Sequence, residues 1–518
     1  MKKSLTITLG LGLVLSMALF VRDLKGQAID RWGEQTPVRD QQDRNTCVVH
    51  ACLAALEAFY GRQGVPNLNL SEQYLHHIWK STWFDTSPGK NYENQSCYWG
   101  GGSIKDIVAI LENYRIPEEG FCPYENDNPQ MRNLIGRLNL PFNPNGQPPG
   151  RFVWSDPNPF TQEQLDRFEY DPGHVDVRAY KNAKYGAKKV VYLDKNAVRK
   201  TDKLEDLINR GHEVAILFDR QIWREQHAVL LVGYDNKNQW FIFKNSNGNN
   251  LNNLRPQSAN NQPQDQTILT YQQVTRSALE GLYVESVLDP REDSRATFLG
   301  RWNMTHDGHR GKVVIRRIGT YNQADRDPHN FALSTRLGSY YDGDGKAFAV
   351  NGQIDGNKME FWIDFGTTRQ KFTVYVYGQG RSGGHKMAGF TDWQGTPFGV
   401  FASREELPPQ QKISGPVQPK EIQGLWMMEH DGWEGFLSIQ SVKNSSLEGI
   451  YTSTKENKKY PVNGQIKDHR LMFEISFPGN SQKFEGYVLS GDRNIIAGFT
   501  WWQNTPFGFQ AQRRGPVQ

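Results

Sequence analysis

Between Cys47 and Tyr60 the positions Ala51, Cys52, Ala55, Leu56 and Phe59 recur at three- and four-residue spacing, which predicts a helix with one apolar face. Far downstream, HAVLLVGYDNKNQWFIFKNSNG (His227–Gly248) sets two apolar runs around the polar stretch DNKNQ, the pattern of a β-hairpin. A helical half followed by a strand-rich half over residues 29–288 predicts an α+β domain.

Beyond residue 297 the pattern changes to short alternating runs broken by Gly, Asn and Asp, and it repeats. VNGQI occurs at Val350–Ile354 and again at Val462–Ile466, and AGFTDWQGTPFG (Ala388–Gly399) returns as AGFTWWQNTPFG (Ala497–Gly508). GRWNMTHDG at Gly300 matches GLWMMEHDG at Gly424. Two copies follow, 297–404 and 421–513, the first with extra residues near Arg317–Gly345. DPREDSR marks a joint at 289–296, and a Pro-rich linker occupies 405–420. The second copy reads as GLWMMEH, GFLSIQSV, LEGIYTS, KYPVNGQI, LMFEISF, KFEGYVL, IAGFTWW and FGFQAQR. Such a series predicts two all-β domains, each an eight-stranded up-and-down barrel, because closure removes exposed sheet edges. The layout resembles avidin- or lipocalin-like barrels, and no motif names a ligand.

Length and composition add three constraints. The 518 residues exceed one core. A formal net charge of +4, with no basic stripe interleaved with aromatics, gives no support to a nucleic-acid partner. Lys2 and Lys3 precede the uncharged run LTITLGLGLVLSMALFV, and Gly26 and Ala28 follow it. This predicts a signal peptide over 1–28, a secreted or periplasmic protein, and no stable membrane insertion after its removal. The alternative is an uncleaved anchor. With four cysteines (Cys47, Cys52, Cys97, Cys122) the chain is not stapled by disulfides.

Cys47 has two readings, an inert core thiol or a nucleophile. Asn45 and Thr46 are good helix-capping types, so Cys47 falls in the first helical turn, where the dipole favours a thiolate and a backbone N–H is available. Gln41, in the polar stretch before the helix, is either a solvated loop residue or a second oxyanion donor. A hairpin centred on position 236 sets Asn245 beside His227, where its amide would fix the ring tautomer.

These segments resemble the papain-like cysteine peptidases. VRDQQDRNTCVVHA resembles the family stretch VxxQGxCGSCWAF, HAVLLVGYD carries the family histidine, and KNSNG matches KNSWG. LSEQYL (Leu70–Leu75) and GGGSIKDIVAILENYRIPEEGFCPY (Gly100–Tyr124) also fit, in order. The resemblance implies a papain-like catalytic domain cleaving a peptide or protein substrate, with Cys47 as nucleophile, His227 as general base, Asn245 orienting it and Gln41 on the oxyanion. It implies that Gly101 and Gly102 pair with an extended substrate, and it implies no metal or organic cofactor. Arg44, Asn45 and Val48 depart from the pattern, and Asn247 replaces the Trp that shields the His–Asn contact. With the usual disulfide lost at Arg44, Cys97–Cys122 is the expected pairing, leaving Cys52 buried and free. The long inhibitory N-terminal segment of many relatives is expected to be missing, so latency would fall to the barrels or to export. The rival reading is a catalytically weak scaffold that binds or adheres through its barrels, whose ligand or partner is unknown.

Lesser signals read as structure. His306-Asp307-Gly308-His309 is expected to be a turn and not a metal pair, and Asp342-Gly343-Asp344-Gly345 a hairpin turn and not a calcium loop. Trp393, Trp501 and Trp502 are expected in barrel cores, with a ligand platform as the alternative.

Overall fold

A computed structural model describes residues 28–41, 46–83, 102–124, 175, 177–223, 225–246, 267–290, 298–315, 319–321, 331–333, 336–377, 385–410, 415–430, 432–489 and 491–515. The expected α+β unit followed by two closed eight-stranded barrels is present.

In the first unit, helices α1 (Cys47–Arg62), α2 (Glu72–Trp83) and α3 (Ile104–Asn113) precede an antiparallel sheet. Its strands are β1 (Ala28–Asp30), β2 (Ala187–Leu193), β3 (Val214–Phe218), β4 (His227–Asp235), β5 (Trp240–Lys244), β6 (Thr267–Thr270) and β7 (Ala278–Val287). They lie in the order β2-β7-β3-β4-β5-β6, with β1 also on β4. Helix α1 is buried along almost its whole length and packs on β4, β7 and β3. An isolated amphipathic helix would wet one face; this one is the core's centre, so few of its positions are polar.

The first barrel is closed from β8 (Gly300–His306), β9 (His309–Ile315), β12 (Arg336–Tyr341), β13 (Ala347–Asp355), β14 (Lys358–Asp364), β15 (Arg369–Val376), β16 (Lys386–Trp393) and β17 (Thr396–Ser403). Its additional residues form the small hairpin β10 (Gly319–Tyr321) and β11 (Phe331–Leu333), and β10 packs against α2. The second barrel runs from β18 (Gly424–His430) and β19 (Trp433–Lys443) through β20 (Ser446–Ser453), β21 (Lys459–Lys467), β22 (Arg470–Phe477) and β23 (Asn480–Leu489) to β24 (Asp492–Trp502) and β25 (Thr505–Gly515). Both interiors are filled by apolar side chains, among them Trp302, Phe361 and Phe372 in one and Trp426, Phe473 and Phe484 in the other. The turns at Asp307–Gly308 and Asp342–Gly345 join paired strands as expected, and Asp342 Oδ1 accepts from the Asp344 and Lys346 N–H groups.

The barrels meet face to face in a nearly twofold arrangement. β16 lies on its own counterpart β24; β17 reaches β23 and β24 while β25 reaches β15 and β16. The ring of Phe390 touches that of its repeat partner Phe499, with centroids 5.3 Å apart. Asn357 donates to the Pro506 carbonyl (3.3 Å), and its counterpart His469 donates to the Pro397 carbonyl (2.7 Å). Gly399 and Gly508 sit at matching closest approaches. A Cβ on the first would lie 3.0 Å from the carbonyls of Tyr487 and Ala497, and one on the second 2.7 Å from that of Tyr375. The centre is symmetric, as in an isologous dimer interface. The rim is not: Lys386–Glu429 (2.5 Å) and Arg310–Asp492 (2.9 Å) bridge the barrels with charges that the repeat does not duplicate.

The first barrel is also attached to the α+β unit. Arg404 stacks over Trp302 at 4.0 Å and over Tyr180, a residue of the α+β unit, at 4.6 Å. Arg513 repeats the first contact on Trp426 at 4.2 Å.

Candidate active site

Cys47 is the first residue of α1, as the capping pattern predicts, and Thr46 occupies the N-cap position without a side-chain cap bond. The Thr46 hydroxyl instead meets the Tyr124 hydroxyl at 2.7 Å, and Tyr124 donates to the Gln41 carbonyl at 2.9 Å. Tyr124 thus ties together the two ends of the segment preceding the nucleophile. Composition gave no signal for this role.

The sulfur of Cys47 lies at the start of β4, where the backbone N–H of Ala228 hydrogen-bonds to it. His227 is the neighbouring residue. Its Nε2 donates to Asn245 Oδ1 at 2.7 Å, and the Ser246 N–H donates to the same oxygen at 2.8 Å. That assignment leaves Nδ1 as the ring's basic nitrogen. The pairing differs from a simple mirror about position 236. A register shift between Leu231 and Gly233 puts Lys244 opposite Leu230, so continuing the ladder sets Asn245 opposite Val229. His227 and Val229 share a face of the strand, so the His–Asn contact is a diagonal one.

Gln41 is buried beside them. Its backbone N–H donates to the Ser246 carbonyl at 2.7 Å, and its Oε1 accepts from the Ser246 hydroxyl. Using the oxygen end on Ser246 turns the amide's donor end away from that residue. Ser246 was invisible as a site residue in the sequence; the signal available was its place directly after Asn245. Gly102 is exposed with φ +145, and the Trp79 ring stands 2.1 Å from where a Cβ would be, so only glycine fits. Gly101, Asn247 and Cys97 lie outside the described residues, and the expected Cys97–Cys122 pairing with them; Cys122 is buried.

Trp223 is a third residue that patterning missed. Its indole lies 5.1 Å from the His227 ring and contacts Phe218 and Phe243. An aromatic shield therefore covers His227 from the loop before β4.

Burial governs the electrostatics. It pushes the Cys47 thiol up to about 11, more than the N–H groups of Ala228, Val48 and Cys47 lower it. Burial also lowers His227, against the opposing effect of Asn245. Both groups are therefore neutral near pH 7, which differs from the thiolate expected from the helix dipole alone: the dipole is worth less than full desolvation. Behind the site a charged cluster is buried. Lys244 donates to Thr36 (2.9 Å), and Thr36 donates to Glu57 (2.6 Å). A cavity of about 20 Å³, room for about one water, is bordered by Glu57, Glu72, Lys244, His50, Asn245 and Ser246. Among the described residues no group of His, Cys, Asp and Glu side chains is arranged to hold a metal, and no helix is long and apolar enough to cross a membrane.

No protein-family model matches the chain, and no curated protein matches it. Among solved structures the chain is similar to papain-like cysteine proteases. One is a structure concerning the mite allergens Blo t 1 and Der p 1 (16% identity, TM-score 0.32, covering 51% of this chain and 73% of that one). Another is the clostridial cysteine protease Cwp84 (15%, 0.33, 54% and 65%). A third is the bromelain protease from Ananas comosus, solved with the E64 inhibitor (15%, 0.28, 50% and 98%).

Proposed function

We propose that the chain is an exported cysteine peptidase. The observation that carries this reading is the His227 Nε2–Asn245 Oδ1 hydrogen bond, 2.7 Å long, one residue from the backbone N–H that meets the Cys47 sulfur. The Lys2–Val21 pattern supports export. With both partners neutral, Cys47 gives its proton to His227 Nδ1 as the sulfur bonds to the peptide carbonyl carbon. The carbonyl electrons move onto oxygen, which Gln41 Nε2 and the Cys47 N–H stabilise. His227 then passes the proton to the leaving amine as the C–N bond breaks, and water hydrolyses the thioester by the same relay. Gly101 and Gly102 would pair with the substrate backbone.

A second reading, a weak or inactive scaffold working through its barrels, is favoured by one observation: the thiol is buried and raised to about 11. Modification by an epoxide probe at pH 7, followed by mass spectrometry, separates the two. The peptidase reading expects Cys47 to react much faster than a free thiol and to lose that advantage in His227→Ala. Slow reaction in both proteins would overturn it.

A further inference from the structure

The two barrels share their cores but not their surfaces. Trp433, Met472 and Trp501 are exposed on the second barrel, where the repeat places His309, Glu360 and Asp392 on the first. Selection for folding alone gives no reason to replace three polar surface positions with large apolar side chains in one copy.

One of these positions opens into a pocket. In an up-and-down barrel alternate hairpins turn at the same end, and the β22–β23 and β24–β25 turns do so here. Between them Ser481, Lys483, Trp501, Gln503 and Asn504 line an open pocket of about 460 Å³. In the first copy the matching turn is built for stability: Asp392 Oδ1 accepts from the Gly395 N–H at 3.0 Å, and Gly395 supplies the left-handed backbone (φ +82). The second copy has Trp501 and Asn504 instead, with Asn504 held at φ +66. It has given up a turn-closing carboxylate and the residue best suited to that backbone. What it gains is an indole and an amide at one edge of a pocket. The indole is braced edge-on against Phe499, 4.7 Å away, which itself sits on Phe390 in the barrel junction.

We infer that this pocket binds a pyranose unit of a glycan. A sugar ring has an apolar C–H face, which suits an exposed, braced indole, and a rim of hydroxyls that both donate and accept. Ser481, Gln503 and Asn504 offer both functions and Lys483 donates, a set that suits hydroxyls. A protein hot spot would be lined by apolar groups and would leave these four side chains unpaired. The site does not depend on the peptidase reading.

The test uses the full chain on an array of immobilised glycans covering neutral hexose, amino-sugar and uronic-acid polymers. The wild-type chain is expected to bind at least one polymer class. The double variant Trp501→Asp, Asn504→Gly, which copies a turn the first barrel already folds, is expected to lose tenfold or more in affinity. Trp393→Ala, at the matching hairpin of the first barrel, should bind as wild type does. No binding of the wild-type chain to any polymer, or equal binding by the double variant, would overturn the assignment.

Discussion

In the α+β unit Glu57, Glu72 and Lys244 are buried around one small cavity and His227 is buried beside the thiol, whereas the barrel interiors hold Trp302, Met304, Phe361, Trp426, Met428 and Phe473. The buried histidines of the barrels lie among rings: His306 beside Phe372 at 5.3 Å and His430 beside Phe484 at 5.3 Å. The difference teaches where each region can do chemistry. Desolvated ionisable groups and a hydrogen-bonded imidazole give the first unit's interior the groups that the proposed chemistry would need, at a cost in stability. The barrel interiors are filled by packing, so the ligand site inferred above lies on the surface.

The sharpest way to break that contrast is to remove equivalent side chains from both regions. His227→Ala should lower kcat/KM for peptide hydrolysis by on the order of 10³-fold or more, while His430→Phe, in the second barrel, should leave it unchanged. Equal loss in both would show that the histidines act through folding alone. Next in size is Lys244→Met. It removes a nearby cation from buried Glu57, which keeps its hydrogen bonds from Thr36 and the Leu70 N–H, and it takes the donor from Thr36, so it should cost the α+β unit about 1–3 kcal/mol. Lys386→Met removes a cation from the partly solvated barrel rim and should cost on the order of 1 kcal/mol. Urea unfolding of each variant, followed region by region through hydrogen exchange, reads both values. Smaller still, Trp223→Ala should admit water to the His227–Asn245 bond and lower kcat/KM about fivefold, the equivalent of about 1 kcal/mol. A KM change at constant kcat would instead place Trp223 in substrate binding.

Much of this was legible in the chain because it depends on local periodicity. The eight alternating runs of each copy and the capping residues before Cys47 need no tertiary information. The His227–Asn245 pairing was anticipated from a hairpin mirror, yet the bulge between Leu231 and Gly233 makes it diagonal, and a bulge leaves no fixed trace in sequence. Ser246, Tyr124 and Trp223 act from positions brought together only by folding. Trp393, Trp501 and Trp502 were expected in cores and are exposed: Trp393 and Trp502 are the last strand residues before their hairpin turns, and Trp501, paired on both sides within β24, lies on the outward face with Phe499.

The smallest effect is a difference in sign between the regions with pH. Burial, then the nearby Glu57 and Glu119 carboxylates, raises Glu72 well above the ordinary carboxylate range, and Glu119 accepts a hydrogen bond from it. An acid whose folded pKa is raised stabilises fully below its unfolded value, about 4.3, and that contribution is lost as pH rises through the folded value. In the barrels burial lowers His306 to about 3, with His309 adding to it, and lowers His430 to about 4. A base with a depressed pKa acts the other way, its contribution intact above about 6.5 and lost as pH falls toward 4 and 3. His227 and His212, also lowered, oppose Glu72 within its own unit. The substitution therefore reads Glu72 together with its hydrogen-bonded partner Glu119: relative to Glu72→Gln, the wild-type α+β unit should lose stability as pH rises from about 4.5 to 8. The barrels should show no difference between the two proteins, and His430→Phe should make the second barrel less sensitive to acid. Urea midpoints of the α+β unit at several pH values provide the comparison. Parallel curves for wild type and Glu72→Gln would mean that Glu72 is ionised in the folded state, and the buried cluster behind Cys47 would then have to be a set of paired charges with no shared proton.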